Sequence, residues 1–81
     1  MDKRIAILGI IVEEMESVMA VNDLLHEYRE YIIGRMGMPY REKNLSVISV
    51  VSDAQNEVIS ALSGKLGMLN GVSSKAVYSK K

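Results

Sequence analysis

Two apolar, β-branched runs, Lys3–Val12 (KRIAILGIIV) and Leu45–Val51 (LSVISVV), are each followed by a stretch of helical periodicity. The two units repeat at a nearly constant offset. Shifting by 40 residues aligns Ile5 with Leu45, Ile7 with Val47, Ile10 with Val50, Val18 with Val58 and Met19 with Ile59. Shifting by 41 aligns Val21 with Leu62, Leu25 with Leu66 and Tyr28 with Leu69. A strand followed by a helix, made twice in 81 residues, leaves few topologies open. Each unit needs a further strand to close it, and the order becomes β-α-β-β-α-β, the split βαβ plan of a ferredoxin-like two-layer sandwich. Right-handed crossovers place both helices on one face of an antiparallel sheet, with the first and third strands central. Residues 1–81 form a single α+β domain.

The remaining elements follow from local signals. Glu13 to Arg29 reads as the first helix, with Val18, Val21, Leu25 and Tyr28 on one face and Glu16, Asp23, Glu27 and Glu30 on another. Acidic residues in its opening turn complement the helix dipole. Tyr31 to Met38 (YIIGRMGM) is strand-like, and Gly34 and Gly37 mark it as a bulged edge strand that ends at Pro39. Residues 40–44 make a polar hairpin loop. Ser52 and Gln55 have the spacing of a capping box before the second helix, which Asn70-Gly71 terminates. Val72 to Tyr78 is the closing strand, before a lysine-rich tail.

The second helix carries Val58, Ile59, Leu62, Leu66 and Leu69 along one stripe. Ser60, Gly64, Gly67 and Gly71 fall close to the opposite line. Glycine inside a helix costs about 1 kcal/mol relative to alanine, so a bare face is either idle helix or a surface that another backbone approaches closely. The first strand raises a separate issue. It is apolar on both sides, Ile5, Ile7 and Ile11 alternating with Ala6, Leu8, Ile10 and Val12. Two helices cover one sheet face only, so an apolar set stays uncovered, and exposed area of that kind marks an interface. A homo-oligomer, dimer or tetramer, formed through the sheet is expected.

Composition excludes several functions. The chain has no cysteine, so it has no disulfide, thiolate metal site or cysteine nucleophile. Its longest apolar run, Ile5 to Val12, is far short of the ~20 residues that span a bilayer, and no signal peptide precedes it; a soluble, cytoplasmic protein is expected. Net charge is zero but uneven. Residues 13–30 set Glu13, Glu14, Glu16, Asp23, Glu27 and Glu30 against Arg29, while beyond Glu57 the charges are Lys65, Lys75, Lys80 and Lys81. No continuous basic stripe exists for nucleic acid. Phe and Trp are absent, so no stacking platform sits on the central strands for RNA. A glycine-rich phosphate loop and a serine-histidine arrangement are also missing. No catalytic group, cofactor or metal site is expected. His26 stands alone as a nitrogen ligand, whereas transition-metal sites recruit several nitrogen or sulfur donors. Arg35, beside Gly34 and Gly37 on the edge strand, is suited to an anion or carboxylate, and Met36 and Met38 to an adaptable contact surface. The candidate contact residues are Arg35, Gly37, Gly64, Lys65 and Gly67.

Two segments carry a family likeness. One is Arg35-Met36-Gly37-Met38-Pro39 before the hairpin and the Leu45–Val51 strand. The other is Ala61-Leu62-Ser63-Gly64-Lys65-Leu66-Gly67 followed by Gly71-Val72 and Lys75. Together they resemble the small proteins described as regulators of the iron-only hydrogenase system, a branch of ACT-like domains related to the C-terminal module of nickel-responsive regulators. The resemblance spans essentially the whole chain. It implies an ACT-like, ferredoxin-like fold, homo-oligomers, and a role in regulating or assembling the [FeFe]-hydrogenase system, with a protein of that system as partner. The DNA-binding ribbon-helix-helix arm of the nickel regulators is missing here, so direct nucleic-acid binding is not expected. The reading is a non-enzymatic regulatory module. The alternative is an ACT-type small-molecule sensor holding its ligand at a subunit interface, near Arg35 and the glycine face.

Overall fold

The computed structural model describes residues 2–80; Lys81, the end of the basic tail, lies outside them. The elements run β1 (Arg4–Val12), α1 (Val18–Glu27), β2 (Ile32–Tyr40), β3 (Leu45–Ala54), α2 (Asn56–Gly67) and β4 (Val72–Tyr78). The strands form one antiparallel sheet in the order β2-β3-β1-β4. This is the ferredoxin-like βαββαβ sandwich of the sequence reading, with β1 and β3 central and β1 paired to β3 along its whole length, from Arg4↔Ala54 to Val12↔Ser46.

Burial follows the strand period of two. Ala6, Leu8, Ile10 and Val12 are buried, whereas Ile5, Ile7 and Ile11 face outward. The core is closed by Ile48 and Val50 from β3, Val21 and Leu25 from α1, and Ile59, Leu62 and Leu66 from α2. Each such aliphatic side chain contributes about 1.5–3 kcal/mol when fully removed from water. The internal repeat is matched in packing. Val21 and Leu62 are both buried, as are Leu25 and Leu66, while Val18 and Val58 are both half-buried. One aligned pair fails: Met19 is 77% exposed and Ile59 1%. The offset lengthens from 40 to 41 within this turn of helix, so the two side chains sit on different faces.

Four local expectations are corrected. The helix expected from Glu13 begins at Val18; Met15–Ser17 is a 3-10 turn, and the first turn of α1 holds no acidic residue. Long-range bonds hold the chain out of the helix there: Glu13 N–H donates to Gly71 O at 2.7 Å, and Ser17 Oγ donates to Asn70 O at 2.6 Å. Pro39 does not end β2 but lies inside it, opposite Ser46, with Tyr40 paired to Leu45. An edge strand tolerates proline because its outward side needs no N–H donor. The hairpin is therefore shorter than expected, a 3-10 turn at Arg41–Lys43 closed by Asn44 at φ 57°. Ser52 caps no helix. It is buried within β3, its Oγ donating to Ala6 O at 3.2 Å, and Gln55 occupies the position before α2 without a side-chain cap. Pairing with β1 carries β3 through to Ala54, past the local capping signal.

The expected bulge is present. Register shifts between Ile32↔Ser52 and Gly34↔Val51, which leaves Ile33 unpaired. Gly71 ends the α2–β4 connection at φ +70°, and a β-carbon there would collide with Glu14, reaching 3.0 Å from its backbone nitrogen. Only glycine serves both demands.

Candidate functional site

The sheet face away from the helices is an exposed apolar surface. Cross-strand register arranges it in rows. Met38, Val47, Ile11 and Ser73 form one row, and Gly34, Val51, Ile7 and Val77 another. Between them runs Met36, Ser49, Gly9 and Lys75. The small pair Ser49 and Gly9 sinks the middle row below its neighbours, so a shallow trough crosses the two central strands, with Met36 at one end and Lys75 at the other. Ile5, Ile7, Ile11, Met36, Met38, Val47 and Val77 keep between 39% and 72% of their surface exposed. Their combined exposed area is on the order of 700 Å², close to the ~800 Å² each partner contributes to a standard protein interface.

At the β4 edge this face meets the glycine face of α2. A hollow of about 620 Å³ is lined by Gly9, Ile11, Val47, Ser73 and Lys75 on the sheet and reaches Gly67 at the end of α2. A neighbouring cleft of about 590 Å³ lies between α2 (Ser60, Ser63, Gly64) and β4 (Ser74, Lys75, Ala76, Tyr78). Its wall is tied by the Ser63 and Ser74 hydroxyls, 3.0 Å apart. Beyond the local helix backbone, no atom lies within 4 Å of where a β-carbon would sit at Gly64 or Gly67. The bare face is therefore not required by packing within one chain. Gly67 has no positive φ, so alanine is sterically allowed at both positions.

Lys65 points away from this face. Its Nζ lies 5.1 Å from the centre of the Tyr28 ring, joining α2 to the end of α1 in a cation–π contact. Hydrogen bonding to the Tyr28 hydroxyl, followed by the charge effect of Tyr28, holds the Lys65 ammonium above its ordinary pKa; desolvation opposes this, and Glu27 adds the smallest contribution. Tyr28 also packs on Tyr31 with ring centres 6.2 Å apart.

Arg35 lies on the helix side of β2, at the opposite edge of the sheet. Its Nη2 donates to Asn22 Oδ1 of α1 at 2.8 Å. With Asn22, Leu25, His26, Arg29 and Ile32 it lines a cleft of about 530 Å³ between α1 and β2. Gly37 follows two residues later, opposite Ile48, where a β-carbon would make only ordinary contact with that side chain. The structure thus separates the candidate residues into three groups. Gly64 and Gly67 adjoin the β4 edge, Lys65 bridges the helices, and Arg35 and Gly37 belong to β2. Arg35 and the glycine face can share a ligand only across two chains.

The sequence reading missed the contributions of Asn22 and Arg29 to the Arg35 cleft and of Gly9 and Ser49 to the trough. Asn22, His26 and Arg29 stand at i, i+4 and i+7, one helical line, and this was a usable signal. Among the described residues no helix is long and apolar enough to cross a membrane.

Fold and surface together define a small ferredoxin-like module with one face of its sheet uncovered. The TM1266-like family model, described as "Iron-only hydrogenase system regulator, putative", matches residues 4–76, and the chain belongs to that family. The solved structure of the uncharacterized protein TM1266 from Thermotoga maritima superposes with a TM-score of 0.93 at 44% identity, covering 98% of this chain and 100% of that one. A formyltetrahydrofolate deformylase from Pseudomonas putida KT2440 is similar with a TM-score of 0.65 at 16% identity, over 90% of this chain and 28% of that one. The second likeness concerns the fold alone. No protein of curated function matches the chain.

Proposed function

We propose that the chain is a non-enzymatic, cytoplasmic regulatory module of the iron-only hydrogenase system that works as a homo-oligomer assembled through its sheet. The observation that carries this reading is the apolar open face built on Ile7, Ile11 and Val47. Such a face is costly to leave in water and suited to a second copy of itself. Family membership supports the choice of that system. A protein of that system is the expected partner, and neither nucleic acid nor membrane is one.

The test is genetic. In a host carrying both this gene and an iron-only hydrogenase, deletion should change hydrogenase activity or transcript level, and the wild-type gene should restore it. Restoration should fail with Ile7→Glu, which places a charge on the open face. Unchanged hydrogenase activity and transcript in the deletion strain would overturn the assignment.

A second reading is a small-molecule sensor with its ligand between subunits. It is favoured by the two open clefts beside Arg35 and Gly64, which lie at opposite sheet edges and would be joined by a neighbouring copy.

A further inference from the structure

The cleft between α1 and β2 takes no part in the open sheet face. We propose that it is an oxyanion site within the single chain, in which Arg29 and Arg35 bind the carboxylate or phosphoryl group of a small ligand.

Its two charged side chains, Arg29 and Arg35, carry donors only. Arg35 Nη2 donates to Asn22 Oδ1 at 2.8 Å, and Arg29 Nη1 donates to the backbone oxygen of His26 at 2.9 Å. A guanidinium has five N–H donors, so each arginine keeps several beyond its one bond. Because the Asn22 carbonyl end is occupied, its amide nitrogen adds two more. Among the described residues neither guanidinium has a carboxylate within 4 Å. No Asp or Glu lines the cleft, although it lies beside the most acidic segment of the chain. Two guanidinium groups thus line one cleft that no carboxylate lines.

The arrangement is also positioned in advance. Arg29 comes from the 3-10 turn after α1 and Arg35 from β2, and each is anchored by its bond to α1. Anchoring reduces the side-chain ordering that binding requires. Planar guanidinium forks match carboxylate and phosphate oxygens, which a lone lysine would not. Leu25 and Ile32 give the cleft an apolar wall, and about 530 Å³ admits a metabolite-sized molecule. A ligand with an anionic head and a short apolar portion satisfies both parts.

The experiment is a ¹⁵N NMR titration of the full chain at fixed pH and ionic strength, with sodium phosphate in one arm, sodium butyrate in the other and chloride as reference. The expected result is saturable shifts at Asn22, His26, Arg29 and Arg35, including the arginine side-chain N–H signals, with a Kd of about 1 mM or tighter. Stronger binding of phosphate identifies a phosphoryl ligand, and stronger binding of butyrate a carboxylate with an apolar tail. Arg29→Gln leaves the Arg35–Asn22 bond in place and should weaken binding several-fold; adding Arg35→Gln should bring the loss to at least tenfold. Non-saturating shifts in both arms, shifts centred on the C-terminal lysines, or a Kd unaltered in Arg29→Gln would overturn the proposal. The readout is the same for a single chain and an assembled one, so failure here is separable from failure of sheet-face association.

Discussion

Replacing Ile7 with glutamate tests the open face at its centre. Ile7 lies between Val51 on β3 and Val77 on β4, with 45% of its surface exposed. Covering that remainder, roughly 80 Å², stabilises an interface by about 2 kcal/mol per chain at ~25 cal/mol/Å². A two-fold interface contains the residue twice, so its loss amounts to about 4 kcal/mol, or about a thousandfold in Kd. That is a lower bound, because the new carboxylates must also be desolvated. The single chain should remain folded: the side chain points to solvent, and the change in strand preference is below about 1 kcal/mol. Sedimentation velocity over a micromolar concentration series reads association, and circular dichroism reads the fold. Met19→Glu is the control, because Met19 is 77% exposed on α1, away from the sheet. Ile7→Glu should sediment as a folded single chain while Met19→Glu behaves as wild type. Wild-type sedimentation of Ile7→Glu, or equal dissociation of both variants, would refute the reasoning.

Gly71→Ala should destabilise the chain by about 2–4 kcal/mol, combining the penalty of a positive φ with crowding against Glu14; a loss below about 0.5 kcal/mol in urea unfolding would contradict this. Gly64→Ala meets no atom beyond the local helix backbone and should gain about 1 kcal/mol of helix propensity, raising Tm by about 4–8 °C. Its association should weaken in the same sample, and a higher Tm with unchanged association and partner binding would make the glycine face idle helix. In Tyr28→Phe the ring stays beneath Lys65 but the hydroxyl is lost, so the Lys65 pKa should fall toward 10.5 in a pH titration followed by NMR. Because the folded-state value is raised, the stability it carries is fully present below the unfolded value of 10.5 and is lost as pH rises through the folded value. Identical Lys65 titrations in the two proteins would contradict that.

The central architecture was legible because the same signals act locally and globally. A strand apolar on both alternating sides must be central, and β1 and β3 are; Gly34 announced a bulge on an edge, and β2 has both. What escaped was decided by contacts distant in sequence. Ser52 has the credentials of a helix cap, yet pairing with Ala6 draws it into the sheet. Glu13 has helical neighbours, yet Gly71 takes its N–H. Pro39 reads as a strand terminator until the absence of an outer neighbour for β2 is known. Arg35 was recognised as an anion-binding type of residue, but its companions, Asn22 on α1 and Arg29 on the 3-10 turn that follows, belong to a segment whose orientation over β2 no local pattern states. The trough at Gly9 likewise exists only once register sets Ser49 beside it.

The claim on which the account rests is that the uncovered sheet face is covered by another copy of the chain, and the mass of the wild-type protein in solution tests it most directly. Sedimentation equilibrium across the micromolar range should return at least twice the 9.0 kDa of the single chain. A mass of 9.0 kDa at every concentration would contradict the account.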